Sequence, residues 1–150
     1  MKKFLFLSLV FLYAVSASAQ EPADTLREDA LNVFMEAPDY IREEIPWVNY
    51  VRDIKDAGVY IISTTQRTGS GGREYTYFFT GQNEYKGMND TLSFSSSPDE
   101  TSEAIRASQI STIKMGLTRY IARTPLARFL NISFSEPMSE TVSTDRRSEE

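Results

Sequence analysis

The chain has 150 residues, 41% of them hydrophobic and 25% charged, with a formal net charge of -5. That length suits one domain, and a mean hydropathy of -0.36 excludes a bundle of membrane-spanning helices. The chain contains no cysteine and no histidine, which removes disulfides, thiolate nucleophiles, Ser-His-Asp triads and the usual zinc ligand sets.

Residues 1–19 read as an export signal. Lys2 and Lys3 precede an apolar run from Phe4 to Val15 broken only by Ser8. That run is too short to span a bilayer, which takes about 20 residues. Ala17-Ser-Ala19 is an A-x-A cleavage site, so the processed chain is expected to start at Gln20 and to act in the periplasm. Residues 20–37 hold one basic and five acidic side chains, residues 38–134 eleven of each, and residues 135–150 two and five. The acidity thus sits at the two ends around a neutral middle. No basic face is offered to nucleic acid or to anionic lipid.

In chain order, residues 20–30 form a flexible acidic lead-in. Residues 31–36 alternate as a strand through Leu31, Val33 and Met35, yet Leu26, Ala30, Val33 and Phe34 also fit helical spacing. Both readings stay open. Residues 39–57 carry Ile41, Ile45, Val48, Val51 and Ile54 at intervals of three and four, which predicts a long amphipathic helix capped by Asp39 and ended by Gly58. Pro46 inside it predicts a kink, or two short helices meeting. Residues 59–67 and 73–82 are rich in β-branched and aromatic side chains and predict two strands joined by the loop Thr68-Gly-Ser-Gly-Gly72. Residues 90–95 predict a third strand with Leu92 and Phe94 inward.

Ser97-Pro-Asp-Glu100 is a helix-start signal: a Ser cap, a first-turn proline and a capping-box glutamate. The helix that follows carries Ile105, Ile113, Leu117 and Ile121 on one stripe, and Pro125 stops it. Thr124 is placed to cap a further short turn, and residues 131–135 alternate as an edge strand. Residues 136–150 read as a disordered acidic tail. The expected fold is α+β over residues 31–135. It is a two-layer sandwich whose mixed, mostly antiparallel sheet has three to five strands, with two long helices on one face.

The candidate chemistry is sparse. The loop Gly69, Ser70, Gly71 and Gly72, flanked by Arg67 and Arg73, can be read as an anion or small-ligand site, because backbone N–H groups of such loops can form an anion nest. It lacks the Gly-Lys-Ser/Thr and following helix of a nucleotide loop, so a plain hairpin tip competes with this reading. Tyr75, Tyr77 and Phe79 share a strand face and read as core under a helix rather than a base-stacking platform. Glu43, Glu44, Asp53 and Asp56 are the candidate carboxylates for glycan hydrolysis, set against a solvated helix face. Arg106, Lys114, Arg119, Arg123 and Arg128 concentrate positive charge in the second half, where Arg119 and Arg123 suit a helix C-terminus. No metal-ligand spacing or cofactor motif is present, and none is expected to bind.

Three stretches together resemble a known group: the run from Asp39 to Asp53 (DYIREEIPWVNYVRD), the run from Thr65 to Thr76 (TQRTGSGGREYT) and the run from Gly116 to Ala127 (GLTRYIARTPLA). They look like a family of exported envelope proteins of Bacteroidetes and related Gram-negative bacteria that has no assigned activity. In that family the soluble region precedes a segment resembling an outer-membrane β-barrel. Relatives often carry a Cys pair just before the Asp-Tyr-Ile run, where this chain has Met35-Glu-Ala-Pro38. The resemblance implies a non-enzymatic envelope module whose partner is an envelope protein or an outer-membrane barrel. It transfers no catalytic residue, and no membrane span is expected in the processed chain.

Overall fold

The structure is a computed structural model that describes residues 29–133. The expected export signal and acidic tail lie outside the described residues. The elements in chain order are β1 (Asn32–Phe34), α1 (Asp39–Glu44), β2 (Asn49–Tyr50), a 3-10 turn (Ile54–Asp56), β3 (Val59–Arg67), β4 (Arg73–Gly81), a second turn (Asn83–Tyr85), β5 (Asn89–Ser96), α2 (Ser102–Ile121) and a third turn (Pro125–Phe129).

The fold is α+β, with a mixed five-stranded sheet in the order β2-β1-β3-β4-β5. β1 pairs parallel with both β2 and β3. The long ladders are antiparallel: β3 with β4 from Val59↔Gly81 to Arg67↔Arg73, and β4 with β5 from Arg73↔Ser96 to Thr80↔Asn89. The first segment resolves as a strand. Leu31, Val33 and Met35 are buried in alternation, which a helix would not produce.

The expected long helix over residues 39–57 is not formed, so there is one long helix and not two. α1 ends at Glu44, and Ile45 leaves helical geometry at φ -126, ψ 60. Pro46 is the cause. It disfavours the helical region for the residue before it and offers no N–H of its own. Beyond it the chain turns and pairs with β1, the Asn49 and Val51 amides donating to the Leu31 and Val33 carbonyls at 2.9 and 3.0 Å. Ile41, Ile45 and Val48 stay buried, as the stripe required, but Ile54 does not. Gly58 lies just ahead of β3, its amide donating to the Asn32 carbonyl at 2.9 Å.

The helix-start signal is also displaced. Ser97 and Glu100 make half of their box, the Ser97 amide donating to Glu100 Oε2 at 3.1 Å, but they do so in a turn ahead of the helix. Thr101 is the cap, its hydroxyl accepting from the Ala104 amide at 3.2 Å. The chain thus carries two cap residues four apart, and the helix starts at the second. Thr124 caps the third turn as expected, accepting from the Leu126 amide. Residues 131–133 form no strand, and the rest of that expected edge strand lies outside the described residues.

α2 lies across β4 and β5. Gly116 is where it comes closest: a Cβ there would collide with the Phe79 ring. The Tyr120 hydroxyl donates to the Met88 carbonyl, and its ring meets Tyr85 edge-on at 5.7 Å. α1 sits beside α2, with the Tyr40 hydroxyl on Gln109 Oε1 at 2.6 Å and Lys114 3.5 Å from Glu44. Tyr77 and Phe79 are core, and Tyr75 stacks on Phe94 at 5.0 Å.

Candidate functional site

The glycine hairpin forms where expected. Arg67 and Arg73 face each other across the ladder, a like-charge juxtaposition that is unfavourable by itself. Inside the tip, the Thr68 amide donates to the Gly72 carbonyl and the Gly71 amide to the Thr68 carbonyl, both at 3.1 Å. The Thr68 and Ser70 hydroxyls are 3.0 Å apart. Gly71 takes φ +90, and Gly72 is pressed against the Ser96 carbonyl, so both glycines serve the turn itself. Thr68 and Gly71 spend their N–H groups inside the turn, which reduces the nest an anion would meet to the other tip amides and the two guanidinium groups.

The candidate carboxylates do not converge. Glu43, Glu44, Asp53 and Asp56 are all exposed. Glu44 is paired with Lys114, and Asp53 caps the first 3-10 turn by accepting from the Lys55 amide at 2.9 Å. The cationic side chains are likewise engaged separately. Arg119 reaches the Asn89 carbonyl at 3.2 Å and Asp90 at 3.7 Å. Arg106 lies over Tyr40 and Arg128 over Phe129. Among the described residues no three acidic, His or Cys side chains come together as a metal site.

The feature that sequence reasoning missed is a groove of about 800 Å³ between the C-terminal half of α2, the segment around Pro46 and the end of the described chain. Its floor is Val48, Ile121 and Leu126, its inner wall Trp47 and its outer wall Phe129 and Ile132. Lys114 is its one charged lining residue. Phe129 is 62% and Ile132 66% exposed, so the outer wall is open to solvent. Tyr50, also in the lining, has its hydroxyl pKa raised by burial, against the opposing pull of Arg42, whose guanidinium lies 5.1 Å over the ring. The signal in the sequence is the apolar run Phe129-Leu130-Asn-Ile132 after a helix stop, whose first two residues read as a short turn and whose Ile132 reads as the start of an edge strand. Trp47 looked like one more position in a helix that Pro46 in fact ends.

No helix among the described residues is long and apolar enough to cross a membrane. No protein-family model, curated protein or solved structure matches the chain.

Proposed function

We propose that the chain is an exported, periplasmic docking module without catalysis of its own, and that its apolar groove takes an extended apolar segment of an outer-membrane-associated protein. The observation that carries this reading is that Phe129 and Ile132 line the same groove as Trp47 while staying open to solvent. A pocket for a small molecule encloses most of its ligand. A groove whose apolar wall is left in water instead fits a macromolecular segment that completes it. The export signal supports the compartment. The resemblance of the three quoted stretches to barrel-linked envelope proteins supports the nature of the partner. The build that goes with this role is two-layered, α1 and α2 covering one sheet face. The hairpin with Arg67 and Arg73 is the weaker candidate, since the Thr68 and Gly71 amides are spent inside the turn and the tip is exposed at Gly69, Ser70 and Gly71.

Trp47 is the only tryptophan, so its emission reports the groove directly. A detergent-solubilised outer-membrane protein captured by the wild-type chain should, once purified and titrated back, shift Trp47 emission to the blue. The double variant Phe129→Asp, Ile132→Asp should bind it at least tenfold more weakly with an unchanged circular dichroism spectrum, because both positions are exposed. A captured protein that binds the double variant equally and leaves Trp47 emission unmoved rejects the groove.

A further inference from the structure

The sheet face opposite α2 is apolar at its centre and almost without charge. Directly paired residues share a face, as do residues two apart along a strand. Phe34 pairs with Tyr60, and Ile62 pairs with Phe78, so these four form one patch across β1, β3 and β4. Ile62 is 52% and Phe78 41% exposed. The rows beside the patch are Thr64, Thr76 and Ser93, then Gln66, Glu74 and Ser95. Glu74 is the one charged side chain in these rows, and Gln66 donates to its carboxylate at 3.0 Å. A quarter of the chain is charged, so a sheet face this neutral is a departure that solvation alone does not ask for.

We infer that this face is the interface of a homodimer, two copies stacking their sheets back to back about a two-fold axis near Ile62 and Phe78. Three features favour a second copy over another occupant. A face whose single charge, Glu74, lies in the outermost row and already accepts from Gln66 meets its own image with little like-charge penalty at the centre, whereas a strongly charged partner would find little complementary on it. Polar residues border the apolar patch, Thr80 and Asn89 at one end and the threonine and serine rows at the other, so a single surface gives the apolar core and polar rim of an interface, as an isologous contact requires. The size is sufficient. β3, β4 and β5 give a face of roughly 28 by 14 Å at ~3.3 Å per residue and ~4.8 Å per strand. With Phe34 and side-chain relief added, two copies cover on the order of 1,000 Å², the lower limit for a specific interface. The dimer is accordingly weak, with dissociation in the micromolar range, and it leaves the groove on the other side of the sheet free.

The absence of cysteine makes the test clean. Sedimentation of the processed chain from 1 to 200 µM should show a monomer–dimer equilibrium. Ile62→Asp combined with Phe78→Asp should raise the dissociation constant at least tenfold, and Thr76→Lys, which removes no apolar surface, should do so as well. Under mild oxidation Ile62→Cys should give a disulfide-linked dimer, whereas Met115→Cys, at an exposed position on α2, should not. A chain that stays monomeric to 200 µM overturns the proposal, and if its Ile62→Cys thiol is also protected from alkylation, residues of the same chain cover the face. An unchanged equilibrium in the folded double variant overturns it equally.

Discussion

The two halves of α2 are held in different ways, although one apolar stripe runs through both. From Ile113 onward the helix is locked: Ile113, Gly116, Leu117, Tyr120 and Ile121 are all buried, with Phe79 pushed against Gly116 and Tyr120 bonded to Met88. Before Ile113 no residue is fully buried, and Ile105 and Ile110 are half-covered. That half is secured by side chains at its flank, Tyr40 on Gln109 and Arg106 over Tyr40. The difference lies beneath the helix and not in it. Under the C-terminal half are the close-packed ends of β3 and β4, where Val59, Ile61 and Phe79 are buried; further along, the β3 residues of that same face, Ser63, Thr65 and Arg67, are exposed. Burial follows what the sheet offers, and a helical stripe alone does not say how deeply each turn is seated.

Truncating one residue in each half puts this contrast to its hardest test. Leu117→Ala removes a side chain that is 1% exposed and should cost about 2–5 kcal/mol, lost contacts plus the cavity left behind. Ile105→Ala removes a half-covered one and should cost under about 1 kcal/mol on the same urea-unfolding measurement. Equal losses would mean that the N-terminal half is as firmly packed as the rest. Next in size is Gly116→Ala. On an open helix face that change stabilises by about 1 kcal/mol. Here the new methyl meets the Phe79 ring, itself fully buried and without space to turn. Overpacking should win, for a net loss of about 1–2 kcal/mol in the melting or urea midpoint. A stabilised Gly116→Ala protein would show that helix and sheet can separate at no cost, and the locked half would not be locked.

The same physics explains what was legible beforehand. The hairpin and its three strands were readable because β-branched and aromatic runs bounded by glycines leave few alternatives, and the ladders follow them closely. The apolar residues of 39–48 were correctly seen as core, but their helix was not, because Ile41, Ile45 and Val48 point inward from a short helix and a turn as well as from a long helix. Pro46 carried the deciding information, and its consequence depended on β1 lying nearby to accept a parallel neighbour. That is a long-range pairing no local pattern encodes. The groove was illegible for a related reason. Its walls come from Trp47 and from Phe129 to Ile132, about eighty residues apart, and only the packed helix between them makes those side chains one surface.

The smallest effect at neutral pH, and the one that probes both halves of α2 together, is alkaline titration. Tyr77 is pushed up to about 12, mainly by burial and further by Tyr40, against the side-chain hydrogen bond to Gln109 in the loosely seated half. Tyr85, packed on Tyr120 in the locked half, is also pushed up to about 12, again mainly by burial and then by Glu84. Unfolded phenols ionise near pH 10. Stability from both groups is therefore fully present below pH 10 and is lost as the pH climbs through 12, because the unfolded chain releases those protons first. Unfolding midpoints should hold to about pH 10 and then fall, and Tyr77→Phe or Tyr85→Phe should each flatten the fall. Amide exchange in the same window should rise first between Ser102 and Ile110, where the helix has the least beneath it. If exchange instead begins around Leu117, the locked half is the one that opens, and the contrast between the two halves is reversed.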